Sequence, residues 1–321
     1  MEPNTFTGVA LDRAEDGRRR DGAWVEEQLR HPNARALVAG SSGIPVEDGR
    51  LVLRPLPDDP PNRPLLLGID DKGPVFAVDE DPPPPDATRP QLIGAGGRRG
   101  EPGPEQPGRV GLRDAATFLA LEEAALASLA AALINWHRGH RFCANCGVAT
   151  EVVEAGLTRH CARCGVEHHP RVDPVVIMLV TDGERVLLGR QAVWPAGRYS
   201  ALAGFVSPGE SLEEAVTREV LEETGVEIGG PGYVSSQPWP FPASLMVGFE
   251  AEWAGGEPDT RDGELEDVRW FSTDDVEAAI SVDGDDWETP AGDSPAGLLL
   301  PPRAAIARRL IEGWLERQRA G

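Results

Sequence analysis

The chain has 321 residues, of which 53 are acidic and 31 basic, for a formal net charge of −22. That length suits two or three domains, and so acidic a balance excludes a basic footprint for nonspecific nucleic-acid binding. No apolar run reaches the roughly 18–20 residues of a membrane-spanning helix, and the opening MEPNTFTGVALDRAEDG lacks the basic-then-apolar order of a signal peptide. The expected setting is therefore cytoplasmic, with no membrane contact.

Up to about residue 80 the chain carries short strand-like runs, ARALVAG, GRLVLRPL, RPLLLGID and GPVFAVDE, parted by turn residues. They predict a small antiparallel or mixed sheet. Residues 81–110 hold eight Pro and six Gly, which reads as a flexible loop without a packed core. From Asp114 to His137 the chain is rich in Ala and Leu and free of proline, which predicts one largely buried helix. Residues 1–137 thus form an N-terminal α+β domain.

All four cysteines fall between 143 and 164. Cys143 and Cys146 make one CxxC, Cys161 and Cys164 another, with a glycine after each pair. The alternatives are two disulfides, a redox dithiol or a zinc site. A reducing compartment disfavours the first, and matched knuckles favour the last. Four thiolates leave no open coordination position, so this Zn²⁺, one per chain, is structural. The ribbon spans 138–169, and the flanking His160, His168 and His169 are read as packing or substrate-side residues.

Next, PVVIMLV and RVLLGR predict strands joined by a turn at Asp182-Gly183. Gly204 to Val226 then reads GFVSPGESLEEAVTREVLEETGV. Ser211 followed by Glu214 is a capping box, and Gly225 suits a left-handed C-cap, so a helix runs between them. Glu219, Glu222 and Glu223 share one face of it. Carboxylates near a helix C-terminus repel one another and oppose the dipole. Bound divalent cations would offset both costs, since Mg²⁺ is a hard ion that takes one or two carboxylates together with substrate phosphates. Arg218 can pair with Glu222 at i+4. Further strands are expected at Leu245–Trp253 and Val268–Phe271, a surface loop over the acidic SVDGDDWETPAGDSPAG within 272–297, and a final helix from about Arg303 to about Arg317.

The Gly204–Val226 stretch fits G-x5-E-x7-R-E-U-x-E-E-x-G-U at every specified position and resembles the Nudix box. Ser236-Gln237-Pro238-Trp239-Pro240-Phe241-Pro242-Ala243-Ser244 resembles the SQPWPFPxS array of the NADH pyrophosphatase (NAD-capped RNA hydrolase) subfamily. Trp136-His137, the cysteine knuckles, Pro170-Arg171, YSALAGF at 199–205 and LPPRAAIARRLIE near the end also match it. His169 departs from the pattern, which often has Tyr there.

The resemblance implies a Nudix α/β/α sandwich with a mixed sheet at 170–321, preceded by the zinc ribbon and an N-terminal α+β Nudix-like domain. It implies a metal-dependent pyrophosphohydrolase that cleaves NADH or NAD⁺ to nicotinamide mononucleotide and AMP. Glu219, Glu222, Glu223 and Glu264 would hold Mg²⁺ or Mn²⁺, with Glu222 or Glu223 as base and Arg218 organising them. Phe205, Gln237, Pro238, Trp239, Pro240, Phe241, Ser244 and Ala307 would line the substrate pocket, with His169 near a partner's site in a homodimer. Two alternatives remain open: NAD-capped RNA as the main substrate, or a dinucleotide sensor without turnover.

Overall fold

A computed structural model describes the chain except residues 1–2, 15–16, 85–86, 88–90, 94–106, 261–262, 282–296 and 321. The expected 81–110 loop lies largely outside the described residues, as does most of the acidic 272–297 stretch. Ahead of the expected surface loop, Thr273–Ser281 is helical. The chain groups into two units. One holds Phe6–Val172 with Pro238–Ala243, and the other Met1–Thr5, Asp173–Gln237 and Ser244–Gly321.

In the N-terminal unit a mixed four-stranded sheet runs in the order Arg54–Pro55, Arg35–Ala39, Gly73–Asp79, Leu65–Asp70. Arg35–Ala39 pairs parallel to Gly73–Asp79, while Leu65–Asp70 is antiparallel to it. The helix Leu121–Gly139 buries Ala124, Ala127, Ala130, Ala131 and Ile134 in the core that includes Leu37, Val75 and Ala77. Small alanines let the helix lie close to the strands.

The predicted single helix over 114–137 is two pieces, Leu112–Ala115 and Leu121–Gly139. At the break, Thr117 Oγ1 donates to the Asp114 carbonyl at 2.7 Å. A hydroxyl satisfied locally competes with helix continuation, and Thr-Phe is a poor helix pair. At the helix end, buried Arg138 donates through Nε to Asp79 Oδ2 at 2.8 Å and also pairs with Asp81.

The ribbon belongs to this unit. Its strands Glu151–Val153, Thr158–His160 and Glu167–His168 form an antiparallel sheet. His137 anchors the long helix beside it. Its Nδ1 accepts from Arg159 Nη1 at 2.9 Å and its Nε2 donates to the Gly156 carbonyl at 2.8 Å, which fixes a neutral ring. Burial pushes this imidazole from 6.5 down to about 4.

A depressed histidine pKa stabilises the fold fully above pH 6.5. As pH falls towards 4 the unfolded chain takes up a proton that the folded chain refuses, and stability declines by on the order of 3 kcal/mol. Urea unfolding at pH 7 and pH 4.5 should show that loss. His137→Gln should reduce the difference between the two pH values.

The second unit is a sandwich. Its sheet runs Glu227–Ile228, Ser244–Gly255, Asp173–Thr181, Arg185–Arg190, Asp267–Ser272. Leu202–Phe205 pairs with Asp173–Thr181, and Gly232–Trp239 pairs with Ser244–Gly255. The central pair, Asp173–Thr181 with Ser244–Gly255, is parallel. Strand alternation then divides the core. Val176, Met178 and Val180 face Ala215, Val216 and Val220 of the helix Leu212–Thr224. Ile177 and Leu179 face Leu310, Ile311 and Trp314 of the final helix Ile306–Ala320. This is the expected α/β/α arrangement with a mixed sheet.

Candidate active site

The helix Leu212–Thr224 begins and ends as the sequence predicts. Ser211 Oγ accepts from Glu214 N at 3.2 Å, and Glu214 Oε2 accepts from Ser211 N at 2.8 Å. Gly225 closes the helix at φ 70° with its N–H on the Leu221 carbonyl. The strand Leu202–Phe205 delivers Gly204 to the helix face. A Cβ built on Gly204 would fall well inside van der Waals contact of the Glu219 carboxylate. Glycine is therefore required here for a close approach, and the pocket so made is filled by that carboxylate.

Arg218 is the hub. Its Nε and Nη2 reach Glu210 Oε1 and Oε2 at 2.5 and 2.9 Å, and its Nη1 reaches Glu219 Oε1 at 2.8 Å and Glu222 Oε2 at 2.9 Å. Nη2 also donates to the Phe205 carbonyl at 3.0 Å, which ties the strand end to the helix. The predicted Arg218–Glu222 pair is present as one arm of a larger network. Glu210 matches the box pattern, but reading side chains along one helix face could not assign it this partner, because it precedes the helix.

The Arg218 guanidinium holds the Glu210 carboxyl down to about 2. Glu219 shifts the other way. Burial raises it, and the charges of Glu222 and Glu264 add to the rise, against the opposing pull of Arg218. Glu264 therefore acts electrostatically on Glu219 despite its distance in sequence. Glu222 and Glu264 are exposed, whereas Glu223 is buried at 3% exposure.

This donor set suits a hard divalent cation. The oxygens are anionic, two of the groups face water, and charge repulsion within the set is relieved by a cation. The carboxylates do not form a closed cage. Among the described residues, only the four cysteines bring three or more such donor atoms together.

Those four sulfur atoms lie within 4.8 Å of one another, with Cys143–Cys164 at 3.6 Å and Cys146–Cys161 at 3.5 Å. Zn–S bonds of about 2.3 Å imply a tetrahedral edge near 3.8 Å, so the cluster fits zinc. The two knuckles repeat one backbone pattern: Gly147 N donates to the Cys143 carbonyl, and Gly165 N to the Cys161 carbonyl, both at 2.8 Å. His168 Nε2 lies 3.3 Å from Cys143 Sγ, within hydrogen-bond reach of sulfur. Elemental analysis should find about one zinc per chain, retained under mild chelation. Cys161→Ser should lose it and lower Tm, because structural zinc contributes directly to folding; an equally stable metal-free protein would overturn the assignment.

The remaining predicted residues are spread over both units. Phe205 is 61% exposed at its strand end. Ser244 is half-buried at the start of its strand. Ala307 is buried in the core, in the first turn of the final helix. Gln237 is 1% exposed, and its amide is already engaged: Nε2 donates to the Ala304 carbonyl at 2.7 Å and the Thr5 carbonyl at 3.2 Å, while Oε1 accepts from Ile306 N at 2.8 Å. Its side chain is thus placed to set local structure and not to present an amide to solvent.

Ser236–Trp239 is not loop, as the proline content suggested, but the end of the strand Gly232–Trp239. Pro238, Trp239, Pro240 and Phe241 group with the N-terminal unit, as does the exposed His169. There Trp239 and Phe241 meet edge to face at 5.0 Å, with the Arg113 guanidinium 5.9 and 4.8 Å from the two rings. No sequence pattern pointed to Arg113.

An α/β/α sandwich carrying a glycine-cradled carboxylate helix defines a Nudix-type hydrolase. Family models match in three successive segments: a NADH pyrophosphatase-like rudimentary NUDIX domain over 33–136, a NADH pyrophosphatase zinc ribbon domain over 138–168 and a NUDIX domain over 170–291. The chain belongs to the Nudix hydrolases, in the NADH pyrophosphatase group that carries the zinc ribbon and the Nudix-like domain.

A protein named NAD-capped RNA hydrolase NudC from Stutzerimonas stutzeri (strain A1501) is 45% identical over 184 residues, 57% of this chain and 59% of the relative. One of the same name from Mycobacterium bovis (strain BCG / Pasteur 1173P2) is 47% identical over 194 residues, 59% of each chain. The mouse protein named NAD(P)H pyrophosphatase NUDT13, mitochondrial, is 45% identical over 208 residues, 64% of this chain and 58% of the relative. The matched segments thus span under two thirds of each relative's length. Among the described residues, no helix is long and apolar enough to cross a membrane.

Proposed function

We propose that the chain hydrolyses the pyrophosphate of NADH or NAD⁺, releasing nicotinamide mononucleotide and AMP. The observation that carries this reading is the Arg218-organised pair Glu219 and Glu222, with Glu219 packed against Gly204 and Glu264 within electrostatic reach of it. Glu219, Glu222, Glu223 and Glu264 would hold Mg²⁺ or Mn²⁺, which when bound would neutralise phosphate charge and acidify water. Arg218 bridges and orients Glu219 and Glu222, and stays protonated while doing so. Glu222 or Glu223 accepts the proton of the attacking water. The raised Glu219 carboxyl means that proton and cation compete for it, so cation affinity should weaken as pH falls through its titration.

Phe205 offers an exposed ring face for a base. The array Pro238–Phe241 with Ser244 would contact the same substrate, as the resemblance implies. The resemblance assigns Gln237 and Ala307 to the pocket lining as well, and both are buried. A homodimer placing His169 near a partner's site belongs to this reading, and light scattering at micromolar concentration tests it.

The names of the bacterial relatives favour a second substrate class, NAD-capped RNA. The experiment is incubation of the purified protein with Mg²⁺ or Mn²⁺ and, separately, NADH, NAD⁺, ADP-ribose, Ap4A and NAD-capped RNA, ranking kcat/KM. NADH or NAD⁺ should lead. A lead for capped RNA would establish the second reading, and dinucleotide binding without turnover would show a sensor.

A further inference from the structure

We propose that the segment Asn4–Phe6 is a positioning strap for Ser236–Phe241, and that it sets the affinity for substrate by holding the Trp239–Phe241 pair in place. This rests on the reading that the aromatic array contacts substrate. Three consecutive residues of the first segment meet successive residues of the second, more than 230 positions away. Asn4 Nδ2 donates to the Ser236 carbonyl at 2.7 Å. The Thr5 carbonyl accepts from Gln237 Nε2 at 3.2 Å. The Phe6 ring lies 6.1 Å from that of Trp239 and 6.0 Å from that of Phe241, edge on to both.

Each end of the strap is secured. Asn4 is 8% exposed, and its Oδ1 accepts from Arg309 Nη1 at 3.1 Å on the final helix. Gln237, which receives Thr5, is bound in turn to Ala304 and Ile306 at the start of that helix. Phe6 is 3% exposed and sits at φ 68°. A bulky residue in the left-handed region is an outlier that persists only where its surroundings hold it. Here the surroundings are the core of the N-terminal unit, with the Trp239 and Phe241 rings packed against it. The contacts of Asn4 and Thr5 lie inside the catalytic unit, and those of Phe6 inside the N-terminal unit.

Such an arrangement acts before chemistry. Rings already fixed lose little freedom when a ligand arrives, so an intact strap favours binding. Phe6 touches neither the carboxylates nor their arginine hub in the contacts described. Its loss should therefore appear in KM and not in kcat.

The test combines hydrogen exchange of the full-length protein with steady-state kinetics on NADH in Mn²⁺. In Phe6→Ala, peptides covering 238–245 should exchange about tenfold faster than in wild type. KM should rise about tenfold while kcat stays within about twofold. Phe6→Tyr should restore both. Asn4→Ala should move both in the same direction, and it keeps the test in force if Phe6→Ala does not fold. Unchanged exchange at 238–245 in folded variants would overturn the strap, as would a fall in kcat at constant KM. If the wild-type protein does not hydrolyse NADH, the proposed function fails, and the exchange measurement alone still decides the strap.

Discussion

Glu223→Gln should lower kcat for dinucleotide hydrolysis at least about 10²-fold, the low end of general-base effects. The substitution keeps size and removes charge and basicity. Because Glu223 is only 3% exposed, the charge removed is one the fold had to desolvate. Tm should therefore stay level or rise, which separates a chemical role from a structural one. Steady-state kinetics with Mn²⁺ and NADH, beside a thermal melt, make the measurement. A variant retaining more than half of wild-type kcat would remove Glu223 from the chemistry.

Gly204→Ala should be nearly as damaging, although it adds one methyl group. The new Cβ would occupy the position of the Glu219 carboxylate, so that side chain must leave the cradle. Glu219 also shares Arg218 with Glu222, and Arg218 holds the Phe205 carbonyl, so the shift spreads through the row. Misplacement of a positioned group by about 1 Å can cost on the order of 10²-fold in rate, and kcat/KM should fall by that order. Mn²⁺ affinity, read by paramagnetic titration, should fall with it. The far-UV circular dichroism spectrum should be unchanged, since Gly204 lies at the end of a four-residue strand. Wild-type Mn²⁺ affinity in a folded Gly204→Ala protein would show that the cradle does not position the cation site.

The stretch from Ser211 to Gly225 was legible residue by residue, because a capping box and a left-handed glycine are local devices whose chemistry stays within one helix. The cysteine knuckles were legible for the same reason, each a turn that closes on itself. The hairpin strands Asp173–Thr181 and Arg185–Arg190 announced themselves as apolar runs around Asp182-Gly183. Less local features escaped. Leu202–Phe205 is too short and glycine-bearing to read as a strand by itself, and it forms through its pairing with Asp173–Thr181. The break near Thr117 hid inside an Ala- and Leu-rich run that looked continuous.

By itself, then, the sequence determined the kinds of group present and their spacing along the chain. It showed a carboxylate face on one helix, four thiolates in two knuckles, and an aromatic array punctuated by prolines. Only the tertiary structure decided which groups share a neighbourhood. It brought Glu264 within electrostatic reach of Glu219, gave Arg218 to Glu210 as well as Glu222, and turned Gln237 inward to the start of the final helix. It also laid Asn4–Phe6 along Ser236–Phe241. Spacing specifies partners only within a turn or a helix face, where the backbone itself sets the distance. Partners far apart in sequence are chosen by how the sheets pack, and that depends on the burial of the whole core at once.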